Sequence, residues 1–231
     1  MTHRRFLIVL SSLAAILLAW LVVGLGVSLA RPAVTVVAAV VSTPQAVVAV
    51  PAPVEVNTPL RRVVSRYKIG FDGNRFVIPP ITDKKITLGE RLAIISLVAQ
   101  NYQIPYPLLG AICFQEGWDK YTGQRCENWY QNGTIVTSSS GAMCALQIYS
   151  PAHPEVDKSR LKTDFTYCVE QGARILVEKR GPKSLTNPYD WAESTMAYFG
   201  LGKPATAAYW QAVKSFINNP PIVPETGAKA W

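Results

Sequence analysis

LLGAICFQEGWD, residues 108–119, is the stretch on which the reading of this chain turns. Placed on a helix, Leu109, Ile112, Cys113 and Glu116 recur at i, i+3, i+4 and i+7 and so share one face. The face is otherwise apolar and must be the buried one. A carboxylate aimed into apolar surroundings is costly to ionise, so its pKa rises. A carboxyl group that keeps its proton near neutral pH is what a general acid requires. The structural alternative is a helix-end glutamate that swings to water or pairs with a lysine, since helix ends fray. Two more segments follow in order: SSSGAMCALQI, residues 138–148, and MAYFGLG, residues 196–202.

Taken together these pieces resemble the lytic transglycosylases of the soluble-transglycosylase type, related to goose-type lysozyme. That family reads, in order, an apolar helix ending in Glu-Ser, then Ser-x-x-Gly-Ala-x-Gly-Leu-Met-Gln, then Asn-Ile-x-x-Gly, then Ala-Tyr-Asn-x-Gly. Here Glu116 falls on the catalytic position, with Gly117 where the family has serine. Ser138, Gly141, Ala142, Leu146 and Gln147 keep the second motif, with Cys144 at a usual glycine. The third is Cys168-Val169-Glu170-Gln171-Gly172, which keeps the glycine and loses the asparagine. The fourth, Ala197-Tyr198-Phe199-Gly200, keeps the tyrosine and loses the asparagine. The resemblance covers residues 86–218 and is silent on what precedes them.

The resemblance implies a lysozyme-like domain that cleaves peptidoglycan between N-acetylmuramic acid and N-acetylglucosamine without water, leaving a 1,6-anhydro product. Glu116 would be the single acid and base, and Ser138, Gln147 and Tyr198 would bind the sugar and orient the carboxylate. No metal or cofactor is implied. The departures at Gly117, Cys168 and Phe199 remove polar groups and leave two further readings open. One is a hydrolytic muramidase, in which Asp119 or another carboxylate would hold a nucleophilic water; Glu127 is the other nearby acid. The other is a catalytically weak wall-binding or assembly module, within an envelope-spanning machinery.

Bulk properties suit such a location. The chain has 231 residues, 49% of them hydrophobic and 16% charged, enough for one globular domain with appendages. Phe6 to Ala30 is uncharged and follows His3, Arg4 and Arg5. A run of this length crosses a bilayer, at about 20 residues per span, and a basic start keeps its own end in the cytoplasm. Residues 1–30 therefore read as a single-pass anchor with the rest of the chain outside. The competing reading is a cleaved signal peptide ending at Ser28-x-Ala30. Residues 31–60, punctuated by five prolines from Pro32 to Pro59, read as an extended linker, with a valine-rich strand as the alternative.

Residues 61–231 hold 20 Lys and Arg against 14 Asp and Glu. The excess speaks to the sign of a partner. Nucleic acid is set aside, because no basic run is interleaved with aromatics; an anionic wall polymer fits, and so does plain solubility. Cys113, Cys126, Cys144 and Cys168 match no zinc spacing, and the only histidines are His3 and His153. An even count outside the cytoplasm predicts two disulfides, with three pairings open.

Local signals predict a mainly α head with a small β-hairpin. Thr87-Leu88-Gly89-Glu90 is a capping box for a helix through Asn101. Pro105 and Pro107 open the next, which runs to Glu116. Asn132-Gly133 is the strongest hairpin signal, and Asp72-Gly73 a second, within a small extended lead-in at residues 61–85. Gly141–Ile148 reads as a short helix. Asp164 caps a helix to Arg180, Asn187 and Pro188 open one ending at Gly200, and Pro204 begins the last, through Ile217. Residues 219–231 read as a tail.

Overall fold

Capping decides where the central helix begins. In the computed structural model, which describes residues 58–119, 121–200 and 205–231, the Thr87 hydroxyl accepts from the Glu90 amide at 3.2 Å and the Glu90 carboxylate accepts from the Thr87 amide at 2.9 Å. The expected anchor and most of the expected linker lie outside those residues. So do Leu201, Gly202 and Pro204.

The described chain is mainly helical, with seven α-helices and one two-stranded antiparallel sheet. In order these are α1 (Thr58–Arg66), β1 (Gly70–Phe71), β2 (Phe76–Val77), α2 (Leu88–Asn101), α3 (Tyr106–Glu116), α4 (Lys158–Thr163), α5 (Phe165–Arg180), α6 (Ala192–Phe199) and α7 (Thr206–Asn218). Ten consecutive or near-consecutive residues of α2 are buried, as are Leu108 to Phe114 of α3. Helices buried on nearly all sides belong in the middle of a domain; α1 and α5 pack on α2, α7 packs on α3, and α4 and α6 pack on α5. Among the described residues no helix is long and apolar enough to cross a membrane.

Asp164 ends one helix and starts the next. It accepts from the Tyr167 and Ile81 amides, both at 3.1 Å, so the cap of α5 also anchors the segment before α2. Gly181 stops α5 with φ +67°. A 3₁₀ turn at Pro188–Trp191, capped by Asn187, feeds α6, which ends at Gly200 as expected.

Three segments differ from the sequence reading. First, α1 occupies the end of the expected linker and the start of the extended lead-in. It folds because Val63 is fully buried and Arg66 reaches both Glu90, at 2.5 Å, and Asp83. The hairpin after it turns at Asp72-Gly73 but pairs Gly70 with Val77 and Phe71 with Phe76, later than Tyr67–Ile69. Second, Asn132-Gly133 does turn the chain, with Gly133 at φ +76°, yet only a bridge between Trp129 and Ile135 forms. Third, Gly141–Ile148 is a tight loop closed by a Met143–Ile148 bridge, not a helix. Gly141, Cys144 and Gln147 all take positive φ, which no helix tolerates.

The tail is docked. Trp231 lies against α3, edge-on to the Tyr106 and Phe114 rings, and the Tyr106 hydroxyl donates to the Ala230 carbonyl at 2.8 Å. A Cβ on Gly110 would sit 2.8 Å from the indole, so this glycine is the notch that admits it.

Two disulfides join Cys113 to Cys126 and Cys144 to Cys168. The first ties α3 to the loop after it, and the second ties the 141–148 loop to α5. Gly172, one turn beyond Cys168, faces Leu146 so closely that a Cβ there would lie 2.1 Å from Leu146 Cδ1. Gly172→Ala is therefore expected to lower the unfolding free energy by about 1–3 kcal/mol, read from denaturant midpoints. An unchanged midpoint would mean that the loop yields freely.

Candidate active site

Glu116 is the last residue of α3, and the chain closes tightly around that helix end. Gly117 follows it, and a Cβ there would meet the Ala145 carbonyl oxygen, the Cys126 Cα and the Glu127 nitrogen, each at 2.9 Å. These are backbone atoms that cannot swing aside. The glycine is required by this approach, and its φ of −82° shows that turning the chain is not its purpose.

The carboxyl opens into a cleft of about 610 Å³ whose walls include Ser138, Gln147, Tyr198, Phe199 and Gly200. All four residues singled out from the sequence thus line one cavity. Burial lifts the Glu116 pKa from the usual carboxylate range to about 7. The Tyr209 hydroxyl beside it offsets part of the rise, although it stands outside full hydrogen-bond geometry. Burial and the neighbouring Glu116 charge hold the Tyr198 and Tyr209 phenols well above their ordinary range, so both stay protonated.

Gln147 sits in left-handed backbone, φ +49°, a conformation uncommon for a side chain of its size. Its amide nitrogen donates to the Cys144 carbonyl at 2.8 Å, which leaves the amide oxygen as the free acceptor. Tyr198 donates to the Leu146 carbonyl at 2.6 Å. Its hydroxyl proton, expected for a sugar, is committed to the loop that carries Gln147. Ser138 Oγ accepts from the Ala142 amide at 3.0 Å and pairs with Ser140 Oγ at 2.8 Å, so it shapes the turn as well as the wall.

The two other acids near the sequence motif are placed elsewhere. Asp119, 1% exposed, accepts from the Tyr121 amide at 2.8 Å. Glu127 is paired with Arg91 at 2.5 Å. Both line a separate cavity together with Phe114, Arg125 and Trp129. Glu116 is the one carboxylate lining the cleft among the described residues.

The departures from the motifs acquire physical reasons. Cys144 has φ +68°, the backbone a glycine favours, and is bonded to Cys168, so two departures are a single crosslink. Phe199 stacks on Tyr209 with ring centroids 4.4 Å apart and 14° between planes. It orients the phenol that faces Glu116. Tyr209 itself escaped the sequence reading. Its only signal is its place with Val213 and Ile217 on the buried stripe of α7, where a tyrosine has a hydroxyl to satisfy. Asn128 escaped too: fully buried, it accepts from the Ala145 amide at 3.0 Å and steadies the loop from below.

No cluster of metal-ligating side chains occurs among the described residues. No protein-family model matches the chain, and no curated protein or solved structure matches it closely enough to stand as a relative.

Proposed function

We propose that the chain is a lytic transglycosylase of peptidoglycan, with a lysozyme-like head. The reading rests on one buried carboxyl group, its pKa lifted to about 7, in a cleft that no other carboxylate lines among the described residues. An ordinary glycosidase needs a second carboxylate across the scissile bond. With one, the substrate must supply the rest. Glu116 donates its proton to the oxygen linking N-acetylmuramic acid to N-acetylglucosamine, and that bond breaks. The substrate's acetamido group stabilises the oxocarbenium as it forms. The ionised Glu116 then removes the proton of the muramic 6-hydroxyl, whose oxygen closes the 1,6-anhydro ring. Glu116 ends protonated and no water is consumed. Gln147 accepts from a sugar hydroxyl, Tyr198 positions the loop, and Ser138 shapes the cleft wall.

Residues 6–30 would hold this head outside the cytoplasm, or be removed as a signal, and 31–57 would give it reach toward the wall. Mass spectrometry of digested wall is the test. Anhydro ends support the reading. Reducing ends would point to a hydrolase, with Asp119 badly placed to serve it, and intact wall to a binding or assembly module.

Gly117 gives a second check. Gly117→Ser restores the residue usual in the resembled family, yet its Cβ meets three backbone atoms. The variant is expected to lose activity at least tenfold and to be destabilised by about 1–3 kcal/mol. A gain in turnover would show that the missing hydroxyl matters more than the space.

A further inference from the structure

The proposed reaction leaves part of the cleft lining without a role. The lining also includes Tyr149, His153 and Lys179. Tyr149 is 45% exposed. Lys179, on the last turn of α5, is exposed, and its ammonium has no ion pair or hydrogen bond among the described residues.

The charges around Lys179 are already spoken for. Arg174, one turn earlier on α5, pairs with Glu178 and, at 2.5 Å, with Glu155. Glu155 also stands 3.6 Å from His153 Nδ1. Arg180 stacks on the Trp191 ring at 5.0 Å. Both nearby acids are thus engaged by Arg174, Arg180 supplies a second positive charge beside them, and the Lys179 ammonium is left without a partner among the described residues. Glu116 adds little countercharge, since it holds its proton up to about pH 7. A cleft of this size with an unmatched ammonium on its wall favours a negatively charged ligand.

We infer that Lys179, on the wall of the cleft, forms a subsite for a carboxylate carried on the glycan strand, and so selects acidic strands over neutral ones. The inference rests on the function proposed above. A lone ammonium is a point charge with rotatable donors, suited to a carboxylate on a flexible arm. Lys179 is a specificity residue and takes no part in bond breaking.

The experiment compares two forms of purified wall strands: native, and with every carboxyl capped as a methylamide. The full-length protein is expected to show a KM about tenfold higher on capped strands, with kcat nearly unchanged. Lys179→Met should raise KM on native strands by a similar factor and make capping immaterial. Lys179→Glu should raise it further on native strands alone. Equal KM values for wild type and Lys179→Met on both substrates would overturn the inference while leaving the transglycosylase reading intact. If neither strand is cleaved, that reading fails instead. Cosedimentation of the Glu116→Gln variant with the same two strand forms then decides the subsite: weaker retention of capped strands, abolished by Lys179→Met, upholds it, and equal retention of both refutes it.

Discussion

Glu116→Gln is expected to abolish wall cleavage, by about a thousandfold or more, while the fold and strand binding survive. Positioned acid–base catalysis contributes typically 10²–10⁴-fold, and a single group serving both proton transfers sits at the upper end. Glutamine fills the same space in the cleft but can neither give nor take the proton. Retained turnover would remove Glu116 from the chemistry, and a collapsed fold would make it structural.

The same variant tests protonation without any activity assay. The Glu116 pKa is higher in the folded chain, about 7, than the ordinary 4.5 of an unfolded one. The group therefore favours the fold fully below about pH 4.5, and that contribution fades as pH climbs through 7. The shift corresponds to on the order of 3 kcal/mol. Glutamine has no such dependence. Wild type and Glu116→Gln should melt alike below about pH 4, and above about pH 8 the variant should melt several degrees higher. Parallel profiles would mean that the carboxyl is ordinarily solvated. For the wild type, kcat/KM should fall with a limiting slope of tenfold per pH unit above about 7, as the acid loses its proton.

Reduction of the two disulfides is the other large effect. Bridges spanning 13 and 24 residues each limit the unfolded chain by about 3 kcal/mol. Together that is comparable to the whole stability of many domains, about 5–15 kcal/mol. Alkylation without reductant should label no cysteine, and reductant should move the guanidinium midpoint sharply down. The paired Cys144→Ala/Cys168→Ala change should cost more activity than its stability loss explains. It frees the loop that carries Gln147 and receives the Tyr198 hydroxyl, and misplacement of about 1 Å can cost on the order of a hundredfold in rate. A midpoint shift under about 1 kcal/mol on full reduction would show that the core holds without its crosslinks.

Much of this site can be read from the chain because its signals are local. The Thr87–Glu90 box, the Asp164 cap and the face shared by Leu109, Ile112, Cys113 and Glu116 each depend on neighbours within two turns, and the structure keeps all three. What escaped depends on distant partners. The run Gly141–Ile148 carries helix-like composition, but the Cys168 bridge, the buried Asn128 amide and the contact with Gly172 force it into a loop. α1 is held by Arg66 reaching Asp83 and Glu90, pairings that no local pattern announces. Tyr209 and Phe199 come to Glu116 from separate helices, and only packing brings their rings together.

The seating of Trp231 in the Gly110 notch bears on how far the domain can be trimmed. By motif alone the working unit spans 86–218, and a fragment with those limits would look sufficient. It would lack the indole that covers Tyr106 and Phe114, and the Glu225 carboxylate that accepts from the Leu88 amide at 3.1 Å. It would also lack α1 and the Arg66 partner of the Glu90 cap. Such a fragment bares aromatic surface along the outer side of the very helix that carries Glu116, and sticky, half-folded material is the natural outcome. Limits of Thr58 and Trp231 keep both sets of contacts, one end packed on α2 and the other on α3, the helix that ends in Glu116.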